Sequence, residues 1–295
     1  MSIIKTAVFP VAGMGTRFLP VTKAGPKEML PIIDKPIIQY VVEEAITAGI
    51  KQLVFVTSNS KRAIEDYFDS NYELESRLEE RGKYDVLAAV RNILPDDVSI
   101  VYVRQKAPLG LGDAVLCARH VIGDQPFAVL LPDDIIDPAE SSCMQDMVKL
   151  YAQYHASILA VESVPPEETD KYGVVALKTI EGRANRIYGI VEKPKSTDAP
   201  SHLAVTGRYI LSPKIFDLLG KTGKGVGGEI QLTDAIAALL QEEAVMAYEF
   251  PGRRFDCGSR LGMLQATVTF ALRRPDLADR FRAYLQELIE TGVPQ

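Results

Sequence analysis

Apolar residues come along this chain in short, nearly unbroken runs at Thr6 to Val11, Gln52 to Thr57, Ser99 to Val103 and Phe127 to Leu131. Runs with so little polar alternation suit strands covered on both faces. Between them the spacing turns helical. Pro36 to Ile46 places apolar residues three and four apart and stops at Gly49, and Asn59 or Ser60 stands where a cap would open another helix through Tyr67 and Phe68. Asn71 to Ile93 is long, charged and roughly helical, which predicts a solvated helical excursion. Gly112 to Val121 and Ser142 to Tyr154 continue the strand-helix alternation. The pattern predicts an α/β fold with a twisted, mainly parallel sheet flanked by helices, whose ligands gather beyond the C-terminal ends of the strands.

After Ser157 the pattern becomes richer in strands, at Ile158 to Val164, Gly173 to Leu177, Ile187 to Val191 and Ala204 to Leu211. These extend the same sheet and add a sugar-sized pocket. Further helices are predicted at Pro213 to Leu219, Ile230 to Gln241, Leu261 to Leu272 and Leu277 to Ile289. With no long polar linker, repeat or low-complexity tract, the 295 residues form a single domain. Its parts are approximately 1–135, 136–258 and a C-terminal helical segment, 259–295. The stretch from Pro275 to Ile289 is amphipathic and suits either a subunit interface or packing on its own domain, so a homodimer or homotetramer is expected.

Composition narrows the partners. A net charge of −6, from 33 basic against 39 acidic residues, lacks the surplus of a general nucleic-acid binder. Cys117, Cys143 and Cys257 show no C-x-x-C spacing and are read as reduced thiols, not a zinc site or a disulfide framework. Met1 to Thr6 enters a strand directly, with no secretory pattern and no membrane-length apolar run, so a soluble cytoplasmic protein is expected.

One loop carries candidate chemistry. Val8 to Pro20 leads from a strand into Ala12-Gly13-Met14-Gly15-Thr16-Arg17, and Pro26-Lys27 brings back a second cation. Small residues let backbone N–H groups approach an anion, Arg17 can hold two oxygens, and Lys27 acts as a mobile point charge; the combination fits a polyphosphate. A dinucleotide fingerprint would want glycine or alanine where Phe18 stands, and Asp34 falls in a turn before the first helix. Gly220-Lys221-Thr222 ends like a P-loop, but Ile215 occupies the place of its first glycine.

Several blocks together resemble the sugar-1-phosphate nucleotidylyltransferase family, over almost the whole chain. They are Ala12 to Pro20 with Pro26 to Pro31, Arg104-Gln105 with Pro108 to Val115, Leu131-Pro132-Asp133-Asp134, Val191-Glu192-Lys193-Pro194 and Phe255 to Ser259. Lys171 to Val175, Gly207-Arg208-Tyr209 and Gly228 to Asp234 also look like this family. The resemblance implies a Rossmann-like sheet and Mg²⁺ dependence. It further implies conversion of UTP and α-D-glucose 1-phosphate to UDP-glucose and pyrophosphate. The long insertion from Asp69 to Pro95 favours this branch over one that uses dTTP.

Roles follow from the resemblance, tempered by side-chain chemistry. Ala12, Gly13, Gly15 and Thr16 would meet the nucleotide, Arg17 the β and γ phosphates, and Lys27 the reacting α-phosphate. Gln105 ends a strand with an amide that suits the uracil edge or a backbone partner, and Gly110 and Gly112 would admit base and ribose. Asp133 and Asp256 would bind Mg²⁺. Glu192 would meet glucose hydroxyls and Lys193 the sugar phosphate, with Gly173, Gly207, Asp134 and Glu229 beside them. Adjacent residues on a strand point to opposite faces, so Glu192 and Lys193 can share one site only after a twist or bulge.

The sugar phosphate supplies the attacking oxygen, so Arg17, Lys27, Asp133 and Lys193 would act by charge and position, without a protein nucleophile. His120, His155 and His202 fall outside the matching blocks. A thymidylyltransferase and a non-catalytic sugar-nucleotide sensor are the alternatives. The intact charge set weighs against the sensor.

Overall fold

Three of the four apolar runs of the first half become buried parallel strands in the computed structural model. The fourth, at Ser99 to Val103, forms a parallel edge strand with no buried residue and is not covered on both faces as its pattern predicted. The structure describes residues 3–138, 140–177 and 184–292. Of the amino-terminal stretch read as entering a strand, Met1 and Ser2 lie outside those residues. In chain order the first strands are β1 (Thr6–Pro10), β2 (Pro31–Ile32), β3 (Lys35–Pro36), β4 (Gln52–Thr57), β5 (Ser99–Arg104), β6 (Phe127–Leu130) and β7 (Asp134–Pro138). The rest are β8 (Ser157–Ser163), β9 (Gly173–Leu177), β10 (Ala184–Glu192), β11 (Leu203–Leu211), β12 (Val245–Glu249) and β13 (Gly252–Asp256). The helices are α1 (Ile37–Thr47), α2 (Arg62–Phe68), α3 (Tyr72–Glu80), α4 (Tyr84–Arg91), α5 (Leu111–Cys117) and α6 (Arg119–Ile122). They continue with α7 (Cys143–Tyr154), α8 (Ile215–Leu219), α9 (Leu232–Leu239), α10 (Arg260–Ala271) and α11 (Ala278–Thr291).

The main sheet runs β5-β4-β1-β6-β11-β8-β12-β10-β9, and only β11 and β10 oppose the direction of the others. Along β1 successive side chains enter opposite cores: Val8 packs towards α5, α8 and α9, Phe9 towards α1 and α7. A smaller core under α10 gathers Ile32, Ile135 and Phe255. From β1 the chain moves outward to β4 and β5, then returns to β6 on the other side of β1. Loops leaving β1 and β6 therefore diverge, and open a crevice at their C-terminal ends.

The antiparallel ribbon β7-β13 lies beside that crevice and pairs Asp134 with Asp256. It brings the first acidic segment alongside one far down the chain.

Local chemistry shifts some predicted elements. Neither Asn59 nor Ser60 caps α2; Lys61 holds the cap position and turns its ammonium inward to Glu28, 2.9 Å away. The charged excursion divides into α3 and α4 where Gly82 takes a φ of 66°, and Asn71 caps its first helix by accepting from the Leu74 N–H. A capping box formed by Ser142 and Gln145 starts α7. No residue of α11 is buried, so this helix does not pack closely on its own domain. Among the described residues no helix is long and apolar enough to cross a membrane.

Candidate active site

Two adjoining cavities lie at the crevice. One, of about 430 Å³, is lined by Ala12, Gly13, Gly15, Thr16, Lys27, Gln105 and Gly110. The other, of about 650 Å³, is lined by Arg17, Asp134, Gly173, Glu192, Lys193, Gly207 and Asp256. Asp133 and Glu229 border both. Apart from Arg17 and Gly112, the residues predicted for the two substrates fall into two spaces with a common wall.

At that wall Lys27 Nζ donates to Asp133 Oδ2 at 2.5 Å. Burial disfavours both charges, but each partner outweighs it for the other, with Glu28 helping Lys27 and Arg17 helping Asp133. The ammonium pKa is raised and the carboxyl pKa is lowered. The fold positions this pair through β1 and β6, since Asp133 follows β6 and the Lys27 turn packs against Gly15. Gly15 has a φ of 67°, and a Cβ there would stand 3.2 Å from Lys27 Cβ.

Asp133 and Asp256 converge at Gly258. A Cβ on that glycine would fall 2.8 Å from Asp133 Oδ2 and 2.9 Å from Asp256 Oδ1, with an Arg17 guanidinium nitrogen 3.5 Å away. Burial, then the Asp134 charge opposite it on the ribbon, raises the Asp256 pKa against the pull of Arg254. Two carboxylates meet at a spot kept open by a missing methyl. Among the described residues no group of three or more His, Cys, Asp or Glu is arranged to hold a metal unaided. Such a donor set suits a hard cation that completes its shell with phosphate oxygens and water.

The twist required for Glu192 and Lys193 is present. β10 ends at Glu192, and Lys193 takes a φ of 47°, which brings its Nζ to 3.3 Å from the neighbouring carboxylate. Both then line the larger cavity.

Four predicted residues have settings other than those expected. Gly112 is absent from the lining of either cavity: a Cβ there would meet Ile230 O at 2.8 Å and Leu219 at 2.9 Å, so its smallness serves the 230–231 segment. Gly110 does line the smaller cavity, yet Glu229 and Ile230 also press against it. Arg17 borders the larger cavity, not the smaller one. Asp134 accepts from Arg254 Nε at 2.6 Å and from the Gly207 N–H at 3.1 Å, which makes it a wall support more than a free hydroxyl acceptor.

Arg254 was not predicted. It pairs with Asp134 and with Glu162 at 2.7 Å, and stacks over Tyr172 with its guanidinium 4.9 Å from the ring centre. Burial works against its charge, but Asp134 and Glu162 prevail and raise its pKa. The signal was its spacing, since Arg254 and Asp256 are two apart on one strand and share a face. Buried Arg208 stood in a matching block but was given no role. It donates to Leu131 O, Gly207 O and Asp134 O and pairs with Glu44 at 2.7 Å, which braces the loop that carries Asp133.

A glycine-bearing turn beside a buried cation, a charged pair at the switch point and a second pocket with its own cation are the features of a nucleotidyl transferase. The chain belongs to the Nucleotidyl transferase family, whose model matches residues 7–271. It is 49% identical to UTP--glucose-1-phosphate uridylyltransferase of Bacillus subtilis (strain 168), over 98% of each chain. UTP-bound UGPase from Acinetobacter baumannii superposes with a TM-score of 0.91 at 47% identity, covering 97% of this chain and 99% of that one. A UDP-glucose pyrophosphorylase complexed with UDP-glucose has a TM-score of 0.85 at 46% identity, covering 92% and 100%.

Proposed function

We propose that this chain transfers the uridylyl group of UTP to α-D-glucose 1-phosphate, forming UDP-glucose and pyrophosphate. The observation that carries the reading is the common wall: Asp133 borders both cavities, with Lys27 against it and Lys193 across the larger space. UTP occupies the smaller cavity, with its base towards Gln105 and its phosphates towards Lys27, and its outer phosphates reach Arg17 only across the Asp133 wall, in the larger cavity. The sugar phosphate occupies the larger, its phosphate at Lys193 and its hydroxyls at Glu192.

The phosphate of the sugar attacks the α-phosphorus of UTP in line, and pyrophosphate leaves. Lys27 holds charge at the reacting phosphate, Arg17 on the leaving group, and Lys193 draws the attacking anion into place. No protein nucleophile is required. Burial and then the Asp134, Asp256 and Asp133 charges push the Cys257 thiol up to about 12, which leaves it protonated near neutral pH. Asp133 and Asp256 would hold Mg²⁺, which when bound neutralises phosphate oxygens.

A cytoplasmic location belongs to the proposal, supported by three free cysteines. So does a homodimer or homotetramer, supported by Leu261, Leu264, Tyr284 and Ile289, all exposed on the last two helices.

Pyrophosphate release across UTP, dTTP, CTP and ATP, each with several sugar 1-phosphates and with or without Mg²⁺, tests the reading. UTP with glucose 1-phosphate and Mg²⁺ is expected to turn over fastest. One methyl in an apolar pocket is worth only about 1 to 3 kcal/mol, so measurable turnover of dTTP is compatible with it. Failure of the UTP and glucose 1-phosphate pair would overturn it.

A further inference from the structure

Gln105 is 8% exposed and lines the nucleotide cavity. Its amide nitrogen donates to Asp113 Oδ2 at 2.7 Å and to Gly110 O at 3.2 Å. Both partners are acceptors only: a carboxylate and a backbone carbonyl. Turning the amide over would set its oxygen against these two acceptors, one of them charged. The orientation is therefore fixed by chemistry and not by shape, which is the same for either end of the amide. The carbonyl oxygen that remains has no partner among the described residues and is not among their buried, unsatisfied atoms, so it is accessible.

We infer that Asp113 is a positioning residue for base selection, locking Gln105 so that its amide oxygen accepts from a pyrimidine that carries hydrogen on N3. The inference rests on the nucleotide occupying the smaller cavity, as proposed above. Uracil and thymine offer an N3–H to that oxygen. Cytosine presents a lone pair at N3, and two acceptors then face one another. A site built around a substrate N–H can reject an analogue that lacks it far more strongly than one built on shape alone. Asp113 stands behind Gln105 and would not itself meet the base. It opens α5, so its backbone is held by the same helix that packs against β1.

The test is the ratio of kcat/KM for UTP to that for CTP, measured with glucose 1-phosphate on wild type and Asp113→Asn. Asparagine keeps the size of the side chain but can donate to the oxygen of a turned-over Gln105. The change removes the charged and closer of the two opposing acceptors, leaves only the Gly110 carbonyl against the flip and lets the Gln105 nitrogen meet cytosine. The ratio is expected to fall at least about tenfold in the variant. A ratio unchanged within about twofold, with both nucleotides slowed alike, is the behaviour of a purely structural residue and would overturn the inference. Because both rates come from one preparation, a partly inactive sample does not alter the ratio. Asp113→Ser carries the same expectation if the asparagine variant does not fold. Absence of wild-type UTP turnover would sink the proposed function instead, while calorimetric Kd values for UTP and CTP would still read the ratio.

Discussion

Lys27 and Asp133 hold each other charged at the place where the two cavities meet. If that charge is used on phosphate, its loss is felt in turnover more than in stability. Asp133→Asn and Lys193→Ala are each expected to lower kcat/KM by at least about tenfold, equivalent to about 1.4 kcal/mol in the transition state. Kinetics like wild type in either variant would remove that residue from the mechanism. Gly258→Ala probes the carboxylate pair from another side. Its added methyl would land between Asp133 and Asp256, while its backbone is not in the left-handed region. The variant is expected to melt near wild type yet need several times more Mg²⁺ for half-maximal rate; an unaltered Mg²⁺ requirement would argue against these two ligands. At this scale the charged residues of the site were legible because each stands in a short block that resembles the family. Arg254 was not, because its importance comes from Asp134, Glu162 and Tyr172, which fold around it from elsewhere in the chain.

Elements position the site through buried ties between them. Arg208 on β11 reaches Glu44 on α1 and three carbonyls near the Asp133 loop, with its own side chain fully buried. Arg208→Met would leave the Glu44 carboxylate buried with the Met144 N–H as its one remaining donor among the described residues, at a cost of about 3 to 5 kcal/mol. Urea unfolding measures that loss; a midpoint like wild type would show the tie to be dispensable. A second tie joins α7 to β12. Burial favours the neutral form of Asp146, but donors from Ser141, Lys149 and Tyr248 prevail and lower its pKa. The stability it contributes is present above the unfolded-state value of about 4 and is lost as pH falls through the lower folded value. Asp146→Asn is thus expected to cost about 1 kcal/mol at neutral pH, the worth of a hydrogen bond or so, with the deficit shrinking as the pH is lowered from about 5 towards 3. A deficit independent of pH would contradict this. Periodicity revealed α1 and α7 and the buried parallel strands. It missed β12, a short Val245 to Glu249 run whose two partners, β8 and β10, both lie far back in the chain. It also ran α3 and α4 together, since a single glycine inside a charged helical pattern does not declare that it will turn left-handed.

Across the whole molecule, the reversal of strand order at β1 and β6 opens the crevice, and the β7-β13 ribbon closes one side of it with the second carboxylate. The sequence blocks named both carboxylates but not the strand order or the ribbon that brings them together. They did not announce that Gly110 and Gly112 would be pressed by Glu229 and Ile230, a contact between segments more than a hundred residues apart. The central claim is that two substrates in adjoining cavities exchange the uridylyl group in a single displacement. Its most direct test is the configuration at the α-phosphorus when a single diastereomer of the α-thio analogue of UTP reacts with glucose 1-phosphate. One in-line attack predicts inversion. Retention would require two displacements through a uridylyl-enzyme intermediate, and would contradict the account.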